Sequence, residues 1–374
     1  MTISSGWMPA FLTCATILVV GAGNITAAPA QPDARATYDQ VVAKAMNYLA
    51  TKGRSADGSY SSFSGPAVTA MVTTGLLRHG RSVNEPLVAE SLKYLEKFIQ
   101  PDGGIYQPGS NYKNYETCLA ILCFTEANRD KRYAAVLGKA DAFVKEGQWD
   151  EGDGQKPSDT AYGGTGYGRS KRPDLSNTSF FIDALKATET PENSESIQKA
   201  ILFISRCQNL ESEHNTTEFA AKIADGGFYY TPAAGGASMA GKTENGGLRS
   251  YGSMTYAGLK SMIYAGVNAD DPRVKAAIQW LRKNYDVQSN PGMGDAGIYY
   301  YFHTFAKALD AMKLDEFEDA SGKKHDWRAE LVRELSKRQR EDGSWINLND
   351  RWMEGDANLV TGYVLLTLSH CKPK

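Results

Sequence analysis

Gln339-Arg340-Glu341-Asp342-Gly343-Ser344-Trp345 sets an acidic residue, a glycine and an aromatic just ahead of a small-residue, apolar stretch. The same turn recurs as Asp57-Gly58-Ser59-Tyr60, Asp102-Gly103-Gly104-Ile105-Tyr106 and Asp225-Gly226-Gly227-Phe228-Tyr229. Weaker copies are Gly163-Gly164-Thr165-Gly166-Tyr167 and Asp295-Ala296-Gly297-Ile298-Tyr299. Their starts at 57, 102, 163, 225, 295 and 342 define a degenerate internal repeat. A unit of this size cannot bury its apolar face alone, so residues 31–374 are expected to form one closed domain.

Two helices are expected in each repeat. One kind is amphipathic: Val88, Leu92, Leu95 and Ile99 fall at helical spacing, as do Val274, Ala277, Ile278 and Leu281 behind Asp271-Pro272. Proline suits the first turn, where its missing N–H costs nothing. The other kind, over 67–78, 115–127, 178–187, 254–265, 301–312 and 357–370, carries few charges and many small residues. A helix apolar nearly all round is buried on most sides. Six outer–inner pairs predict an all-α (α/α)6 toroid, its inner helices parallel around a central cavity. The Gly-rich segments 147–174 and 209–253 read as long loops, which in compact domains tend to carry function.

The chain has 374 residues, 42% hydrophobic and 22% charged, with net charge −2. These are ordinary globular values. A near-neutral chain lacks the basic footprint of a nucleic-acid partner. Residues 1–30 hold no Lys, Arg, Asp or Glu, and an apolar run from Phe11 to Ala22 precedes Ala28-Pro29-Ala30. That pattern reads as a secretory signal peptide cut near Ala30, hence an exported protein. An uncleaved anchor is the alternative. Cys118, Cys123, Cys207 and Cys371 have neither metal-site nor disulfide spacing and read as buried thiols.

Residues 339–345 match the Q-x-x-D-G-x-W pattern of squalene–hopene cyclases and related terpenoid cyclases. With the helical pairs, the chain resembles the terpenoid cyclase and protein prenyltransferase toroid superfamily over roughly residues 36–371. Gln148-Trp149 and Gln279-Trp280 read as coincident pairs, not copies. The resemblance implies an acid in an Asp-x-Asp-Asp-Thr motif, and Asp174-Leu175-Ser176-Asn177-Thr178 keeps only its first aspartate. A serine hydroxyl at the central position is far too weak to protonate an alkene. His303-Thr304 resembles the histidine ligand of the prenyltransferase zinc site. The stretch Arg249 to Ser253 lacks the partner Asp and Cys, so no metal and no cofactor are expected.

Asp174, Asp295 and Asp356 fall at inner-helix starts and are the candidate catalytic acids. Tyr229, Tyr251, Tyr299, Tyr301, His303 and Trp352 are the candidate ligand-binding residues. Asp225 and Glu354 would share the same rim. Clustered rings suit an apolar, isoprenoid-like ligand or a stacked sugar. Three functions stay open: a non-catalytic toroid binding an apolar ligand or a protein partner, a diverged cyclase- or prenyltransferase-type enzyme, and a carbohydrate-active (α/α)6 enzyme, which needs paired carboxylates. Peripheral membrane contact also stays open.

Overall fold

In the computed structural model, which describes residues 34–168 and 172–373, the repeat becomes two concentric rings of helices. In chain order they are α1 (Ala34–Tyr48), α2 (Ala67–Arg78), α3 (Pro86–Glu96), α4 (Lys113–Glu126), α5 (Ala134–Glu146), α6 (Leu175–Ala187) and α7 (Glu195–Arg206). A single short turn, α8 (Ala220–Ile223), precedes α9 (Gly252–Tyr264), α10 (Pro272–Lys283) and α11 (Ile298–Ala311). A small hairpin, β1 (Phe317–Glu318) and β2 (Lys324–His325), leads to α12 (Trp327–Arg338) and α13 (Ala357–Ser369). The expected signal peptide lies outside the described residues.

Helices α2, α4, α6, α9, α11 and α13 form the inner ring. Each packs on the next, and α13 packs back on α2. The outer helices α3, α5, α7 and α10 lie on α2, α4, α6 and α9, while α1 covers α12 and α13 and so seals the first repeat to the last. Composition explains which helices go inside. Every residue of α2 except Arg78 is buried, and Gly258 of α9 is so close to Phe228 that a Cβ would come within 2.5 Å of its ring. The inner helices are parallel: Ser176 and Tyr300, both near helix starts, meet, as do Arg78 and Glu126 at helix ends. Among the described residues no helix is long and apolar enough to cross a membrane, and the four described cysteines are free and buried.

The repeated turn has one mechanical job. Gly343 has φ +92°, and a Cβ there would run into the main-chain oxygen of Lys44 on α1. Gly58, Gly103, Gly163 and Gly226 abut Glu90, Lys139, Lys199 and Ala276 on α3, α5, α7 and α10 in the same way. Each turn thus rests on the backbone of the outer helix that covers its own inner helix, a position open only to glycine. Asp57, Asp102, Asp225 and Asp342 accept the N–H two residues on, closing Asx turns rather than capping a helix. A threonine one turn into the inner helix then accepts the next N–H: Thr69 from Tyr60, Thr117 from Ile105, Thr178 from Thr165, Thr255 from Phe228.

Two sequence readings change here. Gln148 is no coincidence: its Nε2 donates to the carbonyls of Gly163 and Ser196, as Gln208 does to Gly226 and Arg273, and Gln339 to Gly343 and Val41. Long insertions between Gln148 and Gly163, and between Gln208 and Gly226, hid the equivalence. The copy at Asp295 is the odd one, since Gly297 abuts Trp352 and not an outer helix. Helix starts also move: α6 begins at Leu175 because Asp174 accepts the N–H of Asn177, and α11 at Ile298 because Glu354 accepts those of Tyr299 and Tyr300.

Candidate functional site

Contacts between inner helices that are not ring neighbours mark the axis. Tyr115 of α4 meets Tyr363 of α13 at 3.4 Å, hydroxyl to hydroxyl. Ser176 of α6 meets the Tyr300 hydroxyl of α11 at 2.9 Å. Deeper, Asp183 of α6 meets Lys307 of α11 at 2.7 Å. At these levels side chains bridge the axis, where the sequence had suggested an open central cavity. Helical spacing explains the layers: Tyr300, His303 and Lys307 stand at i, i+3 and i+7 on one face of α11, and Ser176, Phe180 and Asp183 at i, i+4 and i+7 on α6.

The inner-helix N-terminal end carries an aromatic shell. Tyr115 lies edge-on to Tyr167 and Phe180, Phe180 neighbours Tyr300, and Tyr300 neighbours Tyr363. Tyr115, Tyr167, Tyr230, Ser176 and Tyr300 keep partial exposure, and Tyr112 and Trp352 are open at the rim. The shell therefore reaches solvent at this end.

Asp174 sits within this shell, 2% exposed. Its carboxylate accepts from the Asn177 main-chain N–H at 2.9 Å and from Asn177 Nδ2 at 2.8 Å, and the Tyr230 hydroxyl lies close enough to favour its charged form. Burial pushes the carboxyl up to about 6, overriding the opposite pull of those hydrogen bonds. The Asn177 side-chain oxygen is buried without a partner. Asp174 and Tyr230 shift each other in opposite directions: burial first, and then the Asp174 charge, hold the Tyr230 phenol far above its usual range, while the Tyr230 hydroxyl pulls the Asp174 carboxyl down. Glu354, also buried, is pushed up to about 7, yet its oxygens are engaged by Asn347 and the first turn of α11.

The other predicted residues separate. Asp295 is exposed in its loop. Asp356 caps α13 through the Leu359 N–H at 2.7 Å and holds the Ser61 hydroxyl. Asp225 is engaged by Gly227, Ser250 and Trp280. Tyr229 donates to the Arg206 carbonyl and packs on Phe219 in a satellite cluster off the ring. Tyr299 donates to the Ile346 carbonyl and Tyr301 to that of Asp286, so both pack between elements, and Tyr300 between them faces the axis. Tyr251 is buried at the start of α9, in the field of Tyr300 and Asp174. His303 lies on the axis against Tyr363, with burial holding its imidazole well below the usual value. Trp352 stacks beneath Arg351 at 4.2 Å and adopts φ +57°, a strained conformation for an aromatic.

The pairs Tyr229-Tyr230 and Tyr299 to Tyr301 were legible as clustered rings at inner-helix starts, but sequence reasoning missed Tyr115, Tyr167 and Tyr363, which only the ring closure brings to Tyr230 and Tyr300. It also missed Asp183, Lys260 and Lys307. A signal existed for those three: each is one of at most two charges inside a helix otherwise read as apolar, with Lys186 and Asp310 beside Asp183 and Lys307. Outside the axis, a cleft of about 330 Å3 is lined by Tyr285, His325, Glu330 and Lys337, but His325 bonds both Asp319 and Glu330 at 3.0 Å. Asn215-Thr216-Thr217 has the N-x-T pattern of a glycosylation sequon, but the Asn215 side-chain amide is buried and donates to the Gln208 and Leu210 carbonyls.

Residues 36–231 match the family model for the squalene-hopene cyclase C-terminal domain. No curated protein matches. Among solved structures, the type II terpene cyclase MstE from Scytonema is similar with TM-score 0.52 and 13% identity, over 90% of this chain and 98% of that one. A variant of it was solved in complex with its substrate, geranylgeranyl dihydroxybenzoate. A protein from Actinoplanes has TM-score 0.52 at 13% identity, over 90% of this chain and 100% of that one. A glycosyl hydrolase family 88 protein from Bacteroides vulgatus has TM-score 0.51 at 10% identity, over 89% and 98%. Identities this low speak for the (α/α)6 fold alone.

Proposed function

The chain belongs to the squalene–hopene cyclase C-terminal domain family, and from that premise we propose that it binds an apolar, isoprenoid-like molecule at the tyrosine-lined opening of the toroid and that Asp174 gives this molecule a proton. One observation carries the reading: a carboxyl 2% exposed and pushed up to about 6, set in a shell of aromatic rings that reaches solvent. An acid of this strength suits proton transfer to an oxygen, or to an electron-rich double bond, better than to an isolated alkene. Ser176, standing where the cyclase motif has its central acid, adds no second donor. The surrounding rings can stabilise positive charge that develops on the ligand. The isoprenoid class is supported by the substrate named for MstE.

The test is incubation in D2O with C15 and C20 isoprenoid enol ethers, whose electron-rich double bond takes the deuteron on carbon, read by mass spectrometry after return to H2O. Wild type is expected to yield deuterium-bearing product; Asp174→Asn is expected to bind, by tyrosine fluorescence, without incorporation. The acid form is the active one, so the rate falls as pH rises through about 6. The folded carboxyl lies above its unfolded value of 3.8, so its contribution to stability is complete below that value and is lost as pH rises through about 6. Asp174→Asn should flatten that slope. Equal incorporation by both proteins would remove Asp174 from the chemistry.

We also propose that the protein is exported, a reading supported by the uncharged first 30 residues and Ala28-Pro29-Ala30. N-terminal sequencing of the protein from its own host should begin just after Ala30; an intact Met1 would refute export by cleavage.

A further inference from the structure

Below the tyrosine shell, Asp183, Lys260, His303 and Lys307 are each no more than 5% exposed. Two cations share one carboxylate there: Lys260 reaches Asp183 at 2.6 Å and Lys307 reaches its other oxygen at 2.7 Å. Lys260 also donates to the Ser179 carbonyl at 3.0 Å. Among the described residues, Asp183 is the one hydrogen-bond partner of Lys307. The neighbouring carboxylates are already engaged, Glu126 by Arg78 at 2.7 Å and Asp310 by His370 at 2.8 Å and Arg328 at 3.0 Å. The His303 Nδ1, one helical turn from Lys307 on the same face of α11, is buried without a partner.

The cluster is thus one negative charge short. A buried cation without a counter-charge is costly, and proteins keep such groups paired. The six inner helices end on this side, and their negative dipole ends relieve part of the imbalance. That relief fades beyond the last turn, however, and Lys307 stands a full turn inside α11. The Tyr264 ring, 5.5 Å from Lys260 and 5.8 Å from Lys307, offers each a weak electrostatic contact that does not supply the missing charge. Spare N–H donors and an unpartnered imidazole nitrogen on one helix face are what an oxyanion requires.

We infer that Lys307, Lys260 and His303 form a binding site for one monoanionic group of carboxylate or phosphate type, which completes the charge of the axial cluster. The anion has two sources. It is either a free small anion or the head group of the ligand proposed above, whose apolar part would lie among Phe180, Tyr300 and Tyr363. Tyr300 and Lys307 are seven residues apart, a rise of roughly 10 Å, within the length of a short isoprenoid chain. The head-group source rests on the isoprenoid reading; the free-anion source does not.

The experiment uses the whole protein in a buffer free of small oxyanions. Sodium acetate and inorganic phosphate are added separately while the melting temperature is followed. The affinities for a C15 isoprenoid carboxylic acid and its alcohol are then compared. A rise of about 2 °C or more with either salt identifies a free anion. An acid bound about tenfold or more tightly than its alcohol identifies a head group. Lys307→Met is expected to abolish either response and, without anion, to melt no lower than wild type. His303→Ala, which touches no ion pair, should weaken the response and serves if Lys307→Met fails to fold. A wild type indifferent to both salts that binds acid and alcohol alike overturns the inference, as does a response that survives in Lys307→Met. A salt response with no alcohol binding would keep the anion site and sink the isoprenoid reading. Alcohol binding without any anion preference would do the reverse.

Discussion

The two ends of the inner ring are built from opposite charges. At the helix starts, the acidic groups are the buried Glu116, Asp174 and Glu354 and the half-buried cap Asp356, each accepting from main-chain N–H. Toward the helix ends stand Arg78, Lys260, Lys307 and His370, each facing a carboxylate. Six parallel helices explain the division, since their aligned dipoles favour anions where N–H groups point outward and cations where carbonyls do. The ends differ in a second respect. Carboxylates at the starts have neutral partners, so burial pushes Asp174 and Glu354 up. Asp183, toward the far end, would also rise on burial, but two lysines pull it down to about 2. The same residue type is therefore readily protonated at one end and held ionised as a counter-ion at the other.

The comparison breaks most sharply at Asp183. Asp183→Ala would leave two buried lysines without a counter-ion, at a cost of roughly 3–5 kcal/mol, if the chain folds at all. Urea unfolding measures it, and a loss under about 1 kcal/mol would mean that the lysines find water or each other's neutral form. The next test sets two glycines against one another. Gly343→Ala must move the Lys44 backbone as well as adopt φ +92°, and should cost about 3 kcal/mol. Gly80, at the far end of α2, has φ +87° and open space around it, so Gly80→Ala should cost only about 1 kcal/mol. Equal losses would show that the turn needs the dihedral alone and not the close approach. The smallest effect is expected at Asp356, where Asp356→Ala removes a cap worth about 1 kcal/mol and, unlike Asp174→Asn, should leave proton transfer unchanged. A large loss of turnover in Asp356→Ala would move the chemistry to the α13 side of the rim.

Much of the rim was legible from local pattern. Asp174 precedes an apolar run and caps it, as its position suggested. The aspartates of the Asp-Gly turns were harder to read. They sit just before the inner helices too, but the glycine after each folds the chain back, so the carboxylate meets an N–H two residues on. Tyr299, Tyr300 and Tyr301 are adjacent in sequence, yet only Tyr300 meets α6 and α13. Moving the helix start from Tyr301 to Ile298, through the bonds from Glu354, changes which of the three points inward. Fifty-odd residues separate Glu354 from that turn, so no local rule could have placed it.

By itself the sequence determined the ring. A sixfold recurrence of turn, buried helix and covered helix can bury its apolar faces only by closing on itself, and glycine and threonine at fixed offsets do that locally. Tertiary structure decided what stands inside the ring. Tyr115 with Tyr363, Ser176 with Tyr300, and Asp183 with Lys260 and Lys307 lie between 77 and 248 residues apart. Their burial, charge and acidity depend on neighbours across the axis, which exist only once α13 has packed against α2.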